Sequence, residues 1–199
     1  MPEMSVIISL LLAGILTDNY VLARTTGICP FLGVSKKFQQ AVGMGVAVIF
    51  VILCATAVTW PIYTYLLVKF KLTYLQTIVF ILVIAALVQF VEIILKRFIP
   101  PLYKALGVYL PLITTNCVVL GVANENIEQG RNFMTSMIAS FSVGLGFLLA
   151  MILFAGVRSR IENCPSPESI KGLPITLIAA SIVSLAFFGF GGIVEAMLA

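Results

Sequence analysis

Residues 25–35 read TTGICPFLGVS, and residues 114–123 read TTNCVVLGVA. Both stretches contain a Cys-x-x-Leu-Gly-Val element shortly after a Thr-Thr pair, and both lie inside apolar sequence, one in each half of the chain. The repeat predicts two related halves, each of which places one thiol, Cys29 or Cys117, in a membrane. It therefore indicates a symmetric, buried site built from soft sulfur ligands.

The composition is that of an integral membrane protein. Of the 199 residues, 61% are hydrophobic and 10% are charged, and the mean hydropathy is +1.14. A soluble domain of this length does not need so much apolar surface. The sequence contains no histidine, which excludes histidine-ligated haem, zinc sites that need imidazole and acid–base catalysis by histidine.

Six apolar segments divide the chain, and most are long enough for the ~20 residues that a helix needs to cross a bilayer. They run over residues 5–23, 40–67, 73–95, 101–123, 132–156 and 173–197. No polar stretch between them is long enough for a soluble domain, so we expect a single integral membrane domain over residues 1–199.

The first and fourth segments are interrupted by polar residues, Asp18 and Asn19 in the first and residues 114–116 in the fourth. Irregular backbone within a membrane is tolerated where protein or a cavity satisfies it, and interrupted segments at matching positions mark functional sites in inverted-repeat proteins. We therefore predict an all-α membrane protein with six transmembrane helices. They form two inverted three-helix repeats, over about 1–98 and 99–199, with segments one and four broken into half-helices.

The distribution of lysine and arginine predicts the orientation. Eight basic residues follow the first, third and fifth segments, whereas three follow the second and fourth. Under the positive-inside rule, this asymmetry places both termini on the extracytoplasmic side. The eight are Lys36, Lys37, Lys96, Arg97, Lys104, Arg158, Arg160 and Lys171, and the three are Lys69, Lys71 and Arg131.

The residues around the repeated cysteines predict how the thiols are held. Pro30 directly follows Cys29, and proline is favoured at the first position of a helix. We expect Cys29 to cap a half-helix that begins at Pro30, and Cys117 to stand in the same way before Val118. Free N–H groups and the positive end of the helix dipole would then face both sulfurs and favour the thiolate. Arg24 is close enough in sequence to balance the remaining negative charge.

Two thiolates are half of the ligand set of a four-cysteine iron–sulfur site, and the simplest completion is a second chain that supplies two more. Cys54, in an unbroken apolar run, and Cys164, beside Pro165, fit the structural role that is common for cysteine in apolar helices. Two alternatives stay open. One is a small inverted-repeat secondary transporter that binds a solute between its broken helices, and the other is a scaffold in which neither motif cysteine matters.

The two cysteine stretches resemble the signature sequences of the A subunits of Rnf electron-transport complexes, to which the E subunit of the sodium-pumping NADH:quinone reductase is closely related. The similarity includes residues 27–37, which read GICPFLGVSKK, residues 110–122, which read LPLITTNCVVLGV, and residues 88–92, which read VQFVE. It extends to residues 184–187 near the end of the chain, which read SLAF.

The resemblance implies a six-helix protein in the bacterial cytoplasmic (inner) membrane, paired with a paralogous E subunit that is inserted the opposite way. Cys29 and Cys117, with two cysteines of that partner, would bind the iron of one [2Fe–2S] cluster. The Rnf complex, with the B, C, D, E and G subunits as partners, would pass electrons between reduced ferredoxin and NAD and couple this transfer to the movement of Na⁺ or H⁺. Flavins and further clusters would lie on other subunits, so this chain would hold no complete active site.

Acidic side chains within a membrane are costly and usually functional, which makes Asp18 and Glu92 candidates for an ion pathway, with Asn116 as a polar neighbour. Both acids also have a simpler interpretation. Asp18 can pair with Arg24, and Glu92 lies one helical turn from Lys96 and can form an interfacial ion pair with it.

Overall fold

The computed structural model describes residues 4–35, 38–71, 73–98, 112, 116–161, 167 and 171–189, and these ranges contain helices and turns but no strand. The helices are α1 (Met4–Leu12), α2 (Ile28–Val34), α3 (Phe38–Ile62), α4 (Gln76–Phe98), α5 (Cys117–Glu128), α6 (Phe133–Ile161) and α7 (Leu173–Phe188). Wider π-helical turns extend α1 over Ala13–Thr17 and α3 over Tyr63–Leu67, and a 3₁₀ turn over Thr73–Leu75 leads into α4. The predicted all-α class is confirmed for this part of the chain.

Three helical stretches are long and apolar enough to cross a membrane, namely Phe38–Leu67, Thr73–Ile93 and Phe133–Ile161. They coincide with the second, third and fifth of the predicted segments. The shorter apolar helix α7 covers part of the sixth segment, which the structure describes as far as residue 189. Most of the fourth segment, over 101–123, lies outside the described residues, so the six-helix inverted repeat stays a prediction.

The break in the first segment is present, and Asn19 stabilises it. The chain leaves helical geometry after the π-helical turn and runs through irregular backbone until α2 begins. The Asn19 side chain is fully buried, and its Oδ1 accepts hydrogen bonds from the backbone N–H of Val21 (3.0 Å) and of Leu22 (3.3 Å). One side chain therefore satisfies two of the backbone donors that the interrupted helix leaves free.

The same asparagine also connects the irregular stretch of the first segment to α6. Its Nδ2 donates to the carbonyl oxygens of Gly146 (2.8 Å) and Ile15 (3.2 Å). The approach is close: a Cβ atom at Gly146 would lie 2.5 Å from the carbonyl oxygen of Gly14 and 3.3 Å from Asn19 Nδ2. Only glycine lets the backbone of the broken segment pass this near to α6.

The centre of the molecule is formed by α3 packed along α6, with buried polar contacts inside it. Thr56 Oγ1 and Ser140 Oγ lie 2.7 Å apart, and Asn126 Nδ2 donates to Ser140 Oγ at 3.0 Å. Because lipid offers no partner for polar groups, this pairing removes a cost that isolated hydroxyls would carry. It also ties α5, which carries Asn126, to the central pair of helices.

The short helix α2 is held at its far end by α6. Arg158, in the last turn of α6, donates through Nη1 to the carbonyl oxygen of Leu32 and to Ser35 Oγ, the latter at 2.8 Å. Phe31 stacks on Phe154 with ring centroids 4.1 Å apart. A seven-residue helix is too short to be stable alone, so these contacts with α6 determine its position.

Candidate metal centre

Cys29 lies in the first turn of α2, and its thiol is exposed on the surface of this chain. The helix begins at Ile28 rather than at the predicted Pro30. Gly27 precedes it as N-cap with φ +83°, a left-handed conformation that favours glycine. Pro30 fits inside the first turn because the N–H groups there have no helical partner in any case.

Cys117 is the first residue of α5, and its thiol is also exposed. Asn116 is the N-cap, and its side-chain oxygen accepts a hydrogen bond from the backbone N–H of Val118 at 3.2 Å. The helix thus starts one residue earlier than predicted. The second cysteine segment has a side-chain cap of its own, which the first lacks.

A direct hydrogen bond joins the two cysteine segments. The backbone N–H of Gly27 donates to Cys117 Sγ, with nitrogen and sulfur 2.9 Å apart. Gly27 precedes Cys29 by two residues, so the two stretches that share the Cys-x-x-Leu-Gly-Val element meet at the starts of their helices. The sequence predicted that N–H groups would face the sulfurs, but the donor to Cys117 comes from the other segment and not from its own helix.

The two helices run from this contact towards opposite ends of α6. The far end of α2 is held by Arg158, in the last turn of α6. Near the far end of α5, Asn126 Oδ1 accepts a hydrogen bond from Arg131 Nη1 at 2.9 Å, just before α6 begins. The Gly27–Cys117 contact therefore lies between the ends of a helix that is about 44 Å long at 1.5 Å per residue.

Gly27 is enclosed by both α5 and α6. A Cβ atom at this position would lie 2.6 Å from Val118 Cγ2 and 3.2 Å from Phe147 Cε2. Since Val118 and Phe147 are themselves buried, they have little room to move. The peptide that donates to the sulfur is therefore held in place by packing as well as by its backbone conformation.

The Asn116 side chain is buried, and its Nδ2 has no hydrogen-bond partner among the described residues. Its Oδ1, by contrast, is used by the cap on α5. An unpaired buried amide next to Cys117 is unusual, because such a group is costly away from water.

The chemistry of these residues fits half of a soft-metal site. Cys29 and Cys117 offer two thiols, and within the described ranges no group of three or more Cys, Asp or Glu residues could hold a metal ion. Both thiols face outwards, where a second chain can reach them. Cys54 lies half-buried on α3, and Cys164 falls outside the described residues.

Arg24, which the sequence suggested as a counter-charge for the cysteines, pairs with carboxylates in the structure. Its guanidinium bonds both oxygens of Glu125, with Nη2 to Oε1 at 3.3 Å, and its Nη2 lies 3.6 Å from Asp18 Oδ1. Tyr20 also donates its hydroxyl to Glu125. Glu125 stands two turns from Cys117, about 12 Å along α5. The arginine reaches this carboxylate because the irregular chain between Asp18 and α2 passes beside that part of α5.

Asp18 lines a small cavity of about 40 Å³ between the broken first segment, α5 and α6. Tyr20, Glu125 and Arg131 are its other polar lining residues. The space is of the size that holds a water molecule or two. The sequence did not predict that Glu125 and Arg131 lie beside the first segment, because a local sequence pattern does not show which distant segment a residue contacts.

Glu92 is half-buried on α4, whereas Asp18 follows the π-helical turn of the first segment and Asn116 precedes α5. The predicted ion-pathway residues are therefore spread over three parts of the structure. Asp18 is exposed and paired with Arg24, which agrees with the simpler interpretation of this residue. Asn116 is a helix cap.

The long apolar helices define an integral membrane protein, and it exposes two cysteines at the starts of neighbouring helices. Residues 7–194 match the family described as Rnf-Nqr subunit, membrane protein, and the chain belongs to this family. It is 52% identical over 185 residues to the A subunit of an "Ion-translocating oxidoreductase complex" from Syntrophotalea carbinolica, covering 93% of this chain and 96% of that protein.

Other relatives carry related names. The A subunit of the "Na(+)-translocating ferredoxin:NAD(+) oxidoreductase complex" of Acetobacterium woodii is 52% identical over 186 residues, 94% of this chain and 97% of that protein. The A subunit of an "Ion-translocating oxidoreductase complex" from Azoarcus sp. (strain BH72) is 51% identical over 190 residues, 96% of this chain and 98% of that protein. The resemblance to Rnf A subunits, first inferred from the two cysteine stretches, is thereby confirmed over nearly the whole chain.

Proposed function

We propose that this chain is the A subunit of a ferredoxin:NAD⁺ oxidoreductase complex and carries electrons through the membrane by way of a [2Fe–2S] cluster. Cys29 and Cys117 supply half of the ligands, and the paralogous E subunit supplies the other half. The names of the relatives from Syntrophotalea carbinolica and Acetobacterium woodii support the membership of such a complex. The remaining partners are the B, C, D and G subunits.

The observation that carries the proposal is the Gly27–Cys117 hydrogen bond at the meeting point of two opposed helices. It brings two cysteine segments, distant in sequence, to one place between the ends of α6. Gly27 lies against Phe147, the middle residue of α6, so a bilayer core of ~30 Å centred on this helix would enclose the site. Both thiols are open to a partner chain, which a site with half of its ligands requires.

Each residue at the site has a distinct task. A bound [2Fe–2S] cluster supplies a one-electron acceptor and donor with cysteine thiolates on its irons. Cys29 and Cys117 would hold the metal, Asn116 fixes the start of α5, and Gly27 connects the two segments. The buried side chains of Val118 and Phe147 exclude water from the inner side of the site.

The six-helix inverted repeat is part of the proposal. After each cysteine helix the described chain continues into two further helices: α3 and α4 follow α2, and α6 and α7 follow α5. This order supports three segments per half. An odd number of segments inserts the two halves in opposite senses, in accord with α2 and α5 running towards opposite ends of α6.

The orientation rests on the basic residues. Trp60 Nε1 donates to the carbonyl oxygen of Arg131 at 3.0 Å, so the end of α3 and the start of α6 share one side. Arg158 donates to Ser35, so the end of α2 and the end of α6 share the opposite side. This grouping agrees with the sides inferred from lysine and arginine. We place Arg158 at the cytoplasmic face of a bacterial inner membrane and both termini outside.

Ion translocation of Na⁺ or H⁺ accompanies the electron transfer in this proposal, and Glu92 is the favoured ion-handling residue. Arg24 and Arg131 together balance the charges of Asp18 and Glu125 beside the cavity, so a cation gains little there. Asn116 uses its oxygen for the helix cap. Glu92 remains as the half-buried acid on a membrane-spanning helix.

The test is cysteine replacement in the purified complex. We expect Cys29→Ala or Cys117→Ala to remove one [2Fe–2S] component from the EPR spectrum, seen as wild type minus variant, and to stop electron flow from ferredoxin to NAD⁺. Cys54→Ala and Cys164→Ala are matched controls and should retain both. Co-purification of the other subunits checks assembly.

Two outcomes would overturn the proposal. Equal loss from all four replacements would show that the thiols at positions 29 and 117 have no special role. A wild-type chain that is colourless, binds no iron with its paralogue and moves a solute alone would instead identify a small secondary transporter.

A further inference from the structure

We propose that the backbone N–H of Gly27 tunes the reduction potential of the metal centre through its hydrogen bond to Cys117 Sγ, which makes Gly27 a positioning residue for electron transfer. The inference rests on the proposed function, because it concerns the cluster that Cys29 and Cys117 would bind. Gly27 is not a ligand, and because glycine has no side chain, it can act only through its backbone N–H.

The physical basis is the charge on the ligand sulfur. Reduction adds one electron to the centre, and part of the added negative charge resides on the thiolate sulfurs. An N–H that points at such a sulfur stabilises the reduced form more than the oxidised form, which raises the potential. The donor of Gly27 lies 2.9 Å from Cys117 Sγ, close enough for such an interaction.

The donor is held rigidly, so its effect is built into the fold. Gly27 has φ +83° and lies against Val118 and Phe147. Hydrogen bonds hold the backbone on both sides of this N–H. The N–H of Thr26 donates to the carbonyl oxygen of Tyr20 at 2.8 Å, and the carbonyl oxygen of Gly27 itself accepts from the N–H of Phe31 at 3.3 Å. A preorganised donor need not be reoriented when the electron arrives.

The donor and the acceptor belong to different halves of the site. Gly27 lies on the segment of Cys29, whereas the sulfur that it contacts belongs to Cys117. The bond therefore links the potential to the spacing of the two ligand segments. A movement of one segment relative to the other would lengthen the bond and lower the potential.

Gly27→Ala in the whole complex tests this inference. The new methyl group would lie 2.6 Å from Val118 Cγ2 and would disfavour the left-handed backbone, so the peptide must shift away from Cys117. We expect the ratio of reduced to oxidised cluster at a fixed applied potential to fall about tenfold, a midpoint lowered by about 59 mV for one electron. The readout is an EPR-monitored redox titration.

Gly33→Ala, in the helix that Gly27 caps, is the matched control. A Cβ atom there would meet Leu112 Cδ2 at 3.5 Å, an ordinary contact, and the backbone φ is not left-handed. Its midpoint should equal that of wild type. A double variant, Gly27→Ala with Val118→Ala, removes the steric clash and should recover part of the shift.

A measurement on the unmutated protein covers the case in which Gly27→Ala does not assemble. In complex labelled with ¹⁵N-glycine, pulsed EPR of the reduced cluster should detect a coupled glycine nitrogen, which the double variant should lose. Absence of this coupling in wild type would overturn the inference. So would a midpoint unchanged in Gly27→Ala while the cluster is present. A wild-type complex without the cluster would instead overturn the proposed function.

Discussion

Cys29 and Cys117 lie at the starts of two helices that are anchored in different ways. α2 has seven residues, begins after a left-handed glycine without a side-chain cap, and depends on Arg158 and on the Phe31–Phe154 stack for its position. α5 has twelve residues and begins with an asparagine cap. Similar cysteine elements are thus held by distant packing in the first segment and by local capping in the second.

This difference has a consequence for the site. A short helix held by other elements moves when those elements move, whereas a longer, self-capped helix keeps its start fixed. We therefore expect the Cys29 side to be sensitive to changes far along the sequence. The Cys117 side should respond mainly to changes in its own first turn.

The largest effect on stability should come from breaking the anchor of the first segment. Asn19→Ala removes four hydrogen bonds and leaves the backbone N–H groups of the buried residues Val21 and Leu22 without their acceptor. We expect a loss of about 3 kcal/mol, measured as thermal unfolding of the purified complex. Gln39→Ala, at an exposed amide on α3, is the control and should change little. A small effect of Asn19→Ala would contradict the dependence on distant packing.

A smaller effect should follow from removing the cap of the second segment. Asn116→Ala deletes the bond to the N–H of Val118 and should cost about 1 kcal/mol. Its Nδ2 has no partner among the described residues, so little else is lost. Asn116→Ser restores a cap acceptor and should recover most of the stability in the same unfolding assay. If Asn116→Ala cost as much as Asn19→Ala, the proposed contrast between the two segments would fail.

The smallest effect should come from the ion pair that bridges the segments. Glu125→Gln removes the charge that Arg24 meets but keeps an oxygen that can accept from Tyr20. The side chain of Arg24 is 41% exposed and that of Glu125 is 16% exposed, so solvent still screens the pair from one side and we expect about 0.5 kcal/mol. The difference from wild type should shrink at high salt, because exposed charges are screened. Glu128→Gln, at the exposed acid one turn further along α5, is the control. A salt-independent loss would indicate that the pair is buried in the assembled complex.

The sequence predicted the long helices well, because long apolar runs in lipid leave the helix as the main way to satisfy the backbone. The predicted segments 40–67 and 132–156 correspond to Phe38–Leu67 and Phe133–Ile161. The break in the first segment was also predictable, since Asp18 and Asn19 interrupt an apolar run. The second break falls largely on residues outside those described.

The pairings between segments could not be predicted. The sequence around Asn19 does not predict that its side chain bonds to Gly146. Likewise, the sequence around Arg24 does not predict that its guanidinium pairs more closely with Glu125 than with Asp18 or the thiolates. Such contacts depend on how distant elements pack. The helix start at Ile28 was missed for a local reason, because Pro30 is tolerated anywhere in a first turn and not only at its first position.

Gly146 shows how a residue without a side chain can determine the position of the broken first segment. It lies in the middle of the 29-residue α6, where a methyl group would push against the carbonyl oxygen of Gly14 and the amide of Asn19. Any side chain there would force the first segment away from α6 and so displace Gly27 and Cys29 without touching either. Under the proposed function, a larger residue at this one position would therefore slow electron transfer in membranes that still contain the protein.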